Sequence, residues 1–449
     1  MSSVPRLAVG TIQPQVNLQP MLWALLDALD HEGVRIQSYL SRACFAPVDA
    51  ATSITGLSPR HLDSWLMSPE QCRALFLRSA RHSDLAVLEG RFDEDSSDPG
   101  GKLEPLCQWL GVPRLAVVDV SRLADCKLPP RPDRATALLL DQVADEREFF
   151  RWQTVLEPLW GIPVVGGLGS LPSIRSTLSE LCPGETISRD LCRTLGNNLL
   201  RYTAPARLLH LASQGDFSLP RTSDSTICAT CDEEDRGLTG VRIAIAYDDV
   251  FHCYFPDALD ALEARGAEVR DFSPLRDETL PPDTDIVAIG CGHPERFAAE
   301  LAQNQCMMLA LRGHVCAGKR IYAEGGGLAY LCQSLALPTG ELASMVGVFP
   351  AIARPNPTAG VPRALETPLA CDSWLGRAGA VIRGYLNDAW RLEPVGRLRS
   401  LGQAPGCEFP LVLRHQAIGS RLHLNLVAQP QLLGGFLRPC PEALAWAGR

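Results

Sequence analysis

The chain has 449 residues, enough at roughly 150 residues per domain for two or three domains that each bury a core, which excludes a small disulfide-held scaffold. Apolar residues make up 46% and charged residues 21%, with mean hydropathy +0.01, so a disordered chain is excluded too. The formal charge of -9 and pI near 5.6 argue against nucleic acid or an anionic membrane as partner, because both select clustered positive charge.

In chain order, the apolar run Leu7-Ala8-Val9 ending in Gly10 predicts a first strand, and Met21-Leu22-Trp23, Leu25-Leu26 and Leu29 predict a helix after a loop. Leu85–Leu88, Leu115–Val118 and Ile162–Val165 read as further strands with helical patterns between them, the alternation of a parallel α/β sheet. The polar, acidic stretch 213–240 reads as a linker. Beyond it the rhythm restarts, with strands at Val241–Ala246, Ile286–Ile289 and Arg320–Tyr322 and helices at Ala258–Arg265 and Arg296–Leu311. The short apolar runs Gly379–Ile382, Leu411–Leu413 and Leu422–Val427 read as strands added to the second domain. Two tandem α/β domains, 1–212 and 241–449, are expected.

No uncharged apolar stretch of about 18 residues occurs, and the opening MSSVPRLAVGTIQPQ lacks the basic start and apolar run of an export signal, so the cytoplasm is the expected compartment. The 16 cysteines are accordingly expected as reduced thiols. Only three lysines, Lys102, Lys127 and Lys319, stand against 39 arginines.

Several segments of the second half carry a family likeness: AIAYDDVFHCYFPDALDAL, IGCGHPERFAAELAQNQ, GKRIYAEGGGLAYLCQSL, MVGVFP and GSRLHLNLVAQP. They resemble the glutamine amidotransferase half of the cobyrinic acid a,c-diamide synthase family. Gly56–Phe76, Ala86–Gly90 and Leu110–Leu123 resemble its ATP-binding half. The resemblance implies a P-loop, dethiobiotin-synthetase-like N-terminal domain and a class I glutamine amidotransferase-like C-terminal domain. Together such domains use ATP, magnesium and glutamine-derived ammonia to amidate tetrapyrrole carboxylates.

The chemistry of that family fails at three places. A phosphate cradle needs glycines, a lysine and a Ser/Thr, but the loop Gly10–Pro20 keeps only Gly10 and Thr11, and the first lysine is Lys102. Ordinary ATP and magnesium use is therefore not expected. The nucleophilic cysteine of the family pattern Ala-Glu-Cys-Gly-Gly-Leu is replaced by Gly325, a vestigial nucleophile position. Cys332 lies roughly two helical turns, about 10 Å, further on; Cys291 reads as a loop thiol beside the oxyanion region. The Gly-His-Glu-Phe-His-Tyr-Ser pattern falls on Gly384–Trp390, which places Asp388 at the vestigial base position, with Glu393 as a match for the orienting acid. His423 matches a recurring strand histidine and is given a structural part.

Some groups keep binding capacity. Glu89 and Asp119 follow apolar strands and are candidates for magnesium or nucleotide, as strand-end carboxylates that line crevices in parallel sheets. Of the family's substrate region, His61, Leu62, Asp63 and Trp65 remain. Cys228 and Cys231 form a CxxC pair, a candidate metal or redox site that lacks a second pair to complete four ligands. The sequence is thus read as a degenerate family member that binds a tetrapyrrole or serves as a noncatalytic partner of a related synthase or other biosynthetic protein. A homodimer is an assembly this leaves open, and an ammonia-dependent amidoligase is the alternative.

Overall fold

The computed structural model describes residues 4–46, 48–92, 98–123, 128–215 and 240–438. The chain separates into two units, Met1–Ile227 and Cys228–Arg449. The helix Pro205–Ser213 precedes the break, and most of the expected linker, with Cys228 and Cys231, lies outside the described residues.

The first unit is built on seven parallel strands: β1 (Arg6–Thr11), β2 (Ile36–Leu40), β3 (Arg60–His61), β4 (Leu85–Arg91), β5 (Arg114–Asp119), β6 (Ala137–Val143) and β7 (Val164–Gly169). Their spatial order is β3-β2-β4-β1-β5-β6-β7. Every residue of β1 and β5 is buried, which is why they read as unbroken apolar runs. β7 starts later than expected because Pro163 has no N–H for the ladder and contributes only its carbonyl, to the Leu138 amide. Between β1 and β2 runs α1 (Gln19–His31), with Pro20 in its first turn and all of Pro20–Leu29 buried. The chain leaves β1 toward β2 and β5 toward β6, in opposite directions, so the C-terminal ends of these strands border a topological switch point.

In the second unit, β8 (Arg242–Ala246), β9 (Phe251–Cys253), β10 (Glu268–Phe272), β11 (Ile286–Ile289), β12 (Cys291–Gly292) and β13 (Arg320–Glu324) come first. The main sheet runs β10-β8-β11-β13, then Ala417–Ser420, Leu411–Arg414 and Arg399–Ser400. Its first five strands are parallel and the last two pairings antiparallel. The expected helix 296–311 is two helices, because Asn304 leaves the helical conformation and its side chain caps the Met307 amide at 3.1 Å. The expected strand 422–427 ends at His423, since Asn425 turns the chain by accepting the amides of Val427 and Ala428. Several strands of the last third form separate small sheets rather than widening the main one, among them Arg363–Pro368, Val381–Leu386 and Leu422–His423.

Candidate functional site

At the C-terminal edge of the first sheet, the loop from β1 to α1 is closed by its own polar groups. The Gln13 amide donates to the Asp119 carbonyl at 3.1 Å and its oxygen accepts the Asp119 amide at 2.7 Å, tying the loop to the end of β5. Arg122 donates to the carbonyls of Pro14 and Gln15, at 2.7 and 3.0 Å, while the Asn17 carboxamide oxygen accepts the Gln19 amide at the start of α1. A phosphate cradle needs backbone N–H groups free to face an anion. Here Pro14 and Pro20 supply none and Gln19 spends its own on Asn17, so these three positions offer no N–H to a phosphate.

The two strand-end acids differ. Asp119 has one oxygen on the Ser121 amide and hydroxyl, at 3.0 and 2.6 Å, and the other 3.3 Å from Arg122 Nε. It holds a turn, and both of its oxygens already have protein partners. Glu89 Oε2 is buried without a hydrogen-bond partner, and so is Thr11 Oγ1. Because Glu89 pairs with Val9, the strand alternation puts Glu89 and Thr11 on one face of adjacent strands. Burial, reinforced by the Asp49 carboxyl, pushes Glu89 up to about 8. These two orphaned oxygens fit a cation site, and of the two acids singled out in the sequence only Glu89 has such an oxygen. Asp63 is structural: its oxygens accept the amides of Ala43, Trp65 and Leu66 at 2.9, 2.9 and 3.0 Å.

In the second unit, β13 passes through Gly325 directly into the helix Gly326–Leu331. Gly325 has φ +55° and ψ -112°, a backbone that side-chain-bearing residues adopt only under strain, at a sharp strand-to-helix elbow. The elbow is packed so tightly that a Cβ on Gly326 would lie 2.2 Å from the Gly292 carbonyl oxygen. The space where a residue-325 side chain would project is occupied from β12: a Cβ on Gly325 would meet Cys291 Sγ at 2.8 Å. Cys332 is no candidate substitute, because the helix ends at Leu331 and Cys332 begins a strand with its Sγ on the Leu328 carbonyl.

Cys291 Sγ donates to Glu324 Oε1 at 3.4 Å; Glu324 Oε2 accepts the Tyr322 hydroxyl at 2.6 Å and the Leu424 amide at 3.2 Å. Tyr322 and Glu324 are two residues apart on β13 and so share a face. His423, fully buried, lies beside them with its Nε2 2.9 Å from the Asn387 amide nitrogen. Donor atoms of Cys291, Glu324 and His423 all lie within 4.8 Å of one another. Burial pushes the Glu324 carboxyl up to about 7, and burial followed by the Glu324 charge pushes the Cys291 thiol well above its ordinary value. At neutral pH Cys291 is a thiol and a poor nucleophile.

The site therefore gathers Gly325, Cys291 and His423 from the residues singled out in the sequence, and adds Glu324 and Tyr322, which were not. The alternation of Arg-Ile-Tyr-Ala-Glu in β13 was the available signal for that pair. Asp388 is not drawn in: it is paired with Arg421 at 2.8 Å, with its side chain about two-fifths exposed. Glu393 is exposed and paired with Arg354.

Residues 242–385 match the family model of the CobB/CobQ-like glutamine amidotransferase domain. The chain is similar to cobyrinate a,c-diamide synthase of Syntrophotalea carbinolica, 28% identical over 399 residues that cover 85% of this chain and 85% of that protein. It is also similar to cobyrinate a,c-diamide synthase of Dehalococcoides mccartyi strain CBDB1, 26% identical over 468 aligned positions that cover 97% of this chain and 98% of that one. Among solved structures, a crystal structure of glutamine amidotransferase aligns with 44% of this chain and 97% of its own at 20% identity and a TM-score of 0.34. No helix among the described residues is long and apolar enough to cross a membrane.

Proposed function

We propose that this relative of the cobyrinate a,c-diamide synthases, with its CobB/CobQ-like amidotransferase domain, retains the family scaffold without glutaminase chemistry and acts as a tetrapyrrole-binding or noncatalytic partner protein. The observation that carries the reading is the elbow. Its strained backbone is kept at Gly325, while the side chain that would attack glutamine is missing and its space is filled by Cys291. Thioester formation needs a thiolate projecting from that turn, with a histidine to manage its proton. His423 is in place to hold a proton, but the thiol beside it comes from β12 and is bound to a carboxyl group. The closed loop after β1 supports the same reading for ATP.

The test is to incubate the pure full-length protein with glutamine and, separately, to titrate it with cobyrinic acid and with a sirohaem-type tetrapyrrole under an absorption spectrophotometer. The expected result is no release of glutamate and a saturating spectral change with a tetrapyrrole. Catalytic release of glutamate overturns the loss of glutaminase chemistry; failure of every tetrapyrrole to bind leaves the partner-subunit form, which then requires a stable complex with a related synthase on co-purification. A second reading, amidation with free ammonia, is favoured by the orphaned oxygens of Glu89 and Thr11, which fit a cation. It requires ATP-dependent product with ammonium and none with glutamine.

A further inference from the structure

Beyond that reading, and independently of it, we infer that Cys291, Glu324 and His423 form a buried site for a borderline-soft divalent metal ion of the zinc or cobalt kind. The three residues come from separate elements: β12, the end of β13 and the strand Leu422–His423. They bring one sulfur, one oxygen and one nitrogen donor within 4.8 Å of one another. A tetrahedral ion with a metal–sulfur bond of about 2.3 Å and a metal–oxygen bond of about 2.0 Å sets those two donors about 3.5 Å apart. The observed Cys291–Glu324 separation is 3.4 Å.

The donor set is balanced in charge. A thiolate and a carboxylate neutralise a divalent cation, and a neutral imidazole completes a mixed S/N/O set that suits zinc or cobalt rather than magnesium or calcium. Binding transfers the Cys291 proton to solvent, so uptake strengthens as pH rises.

One of the donors is already oriented from behind. The Tyr322 hydroxyl and the Leu424 amide hold Glu324 Oε2, leaving Oε1 toward Cys291. Outer partners of this kind characterise metal centres, where their removal lowers affinity by about 10–100-fold. Three protein donors leave a fourth position to a small ligand such as water, the pattern of zinc sites that are not purely structural.

Because the donors are buried, the ion is best supplied during synthesis. Full-length protein is produced in cobalt-supplemented medium, purified and measured for metal content and for the near-ultraviolet sulfur-to-cobalt charge-transfer band. The expected result is about one equivalent of cobalt, with a band that Cys291→Ser abolishes and a metal content that His423→Gln lowers at least tenfold under competition from a chelator. The Cys228→Ser/Cys231→Ser variant should keep both. Loss of the band in that double variant, with its retention in Cys291→Ser, overturns the assignment. Should Cys291→Ser fail to fold, X-ray absorption of the zinc-loaded wild type decides: a single sulfur among nitrogen and oxygen neighbours is expected, and two or more sulfurs, or none, refute the site.

Discussion

Placing a methyl group on the elbow tests the packing of Gly325 against Cys291. Gly325→Ala incurs two penalties. The φ of +55° with ψ of -112° costs an alanine about 1–3 kcal/mol, and a Cβ 2.8 Å from Cys291 Sγ forces a displacement worth about 1–3 kcal/mol in a packed interior. The sum is about 2–6 kcal/mol. Only the second penalty depends on the sulfur, because the next nearest atom of Cys291, its Cβ, would be 3.6 Å away, an ordinary contact. In the background Cys291→Ala, therefore, Gly325→Ala should cost about 1–3 kcal/mol less, a coupling that a double-mutant cycle isolates. The assay is amide hydrogen exchange by mass spectrometry on peptides covering 320–331, with chelator present so that bound metal does not enter the comparison. At about 1.4 kcal/mol per factor of ten, Gly325→Ala alone should speed exchange by roughly 30-fold or more, and Cys291→Ala should return a factor of roughly 5–150 of it. Additive effects within about 0.5 kcal/mol would refute the claim that the cysteine fills the missing side chain's space.

Thiol alkylation under native conditions at neutral pH should label the exposed Cys182, Cys306 and Cys316 first and leave Cys291 unmodified, as peptide mass spectrometry will read out; early labelling of Cys291 would contradict its burial and hydrogen bond to Glu324. Burial lowers His61 in the first unit and His314 in the second to about 4, so both fold neutral. Their stabilising contribution, about 3 kcal/mol each, is complete above the ordinary value near 6.5 and is lost as pH falls toward 4, which acid titration of His314→Gln against wild type measures. Glu89 acts in the opposite sense: its proton is retained on folding, so stability falls as pH rises from about 4.5 to about 8, and Glu89→Gln should flatten that limb. Asp63→Ala leaves three backbone amides without their acceptor and should destabilise the first unit by about 3 kcal/mol in urea unfolding, whereas Asp63→Asn retains an acceptor and loses less.

The parallel strands were legible because burial on both faces writes an unbroken apolar run, as in β1, β5 and β11. β2 and β6 are harder to read because Gln37 and Ser38 interrupt the first and Asp141 and Gln142 the second; Gln37 donates to the Ser38 and Ser58 carbonyls and Asp141 pairs with Arg175, roles that a hydropathy pattern does not register. The antiparallel segments of the last third were harder still, being short and paired across long sequence separations, such as Val381–Leu386 with Leu422–His423. At the elbow Gly325 was plain from the sequence, since a strand, a glycine triplet and a helix are contiguous there. What was not legible was that Cys291, 34 positions earlier, stands where a side chain at position 325 would project. Nor could spacing reveal that Asp388 turns to Arg421 while His423 joins Glu324 and Cys291.

The Gln13 clamp limits how the loop can be redesigned. A glutamine carboxamide presents one donor and one acceptor, as a peptide unit does, and here it adds a rung to the sheet beyond the last backbone pair of β1 with β5. Introducing a lysine into the loop would not recreate nucleotide binding, for the clamp would still hold the loop down. Removing Gln13 first would strand the amide and carbonyl of Asp119, and the two prolines would still withhold their share of donors. Building a phosphate cradle here therefore takes several coordinated substitutions, since releasing the clamp alone costs stability and adds no donor.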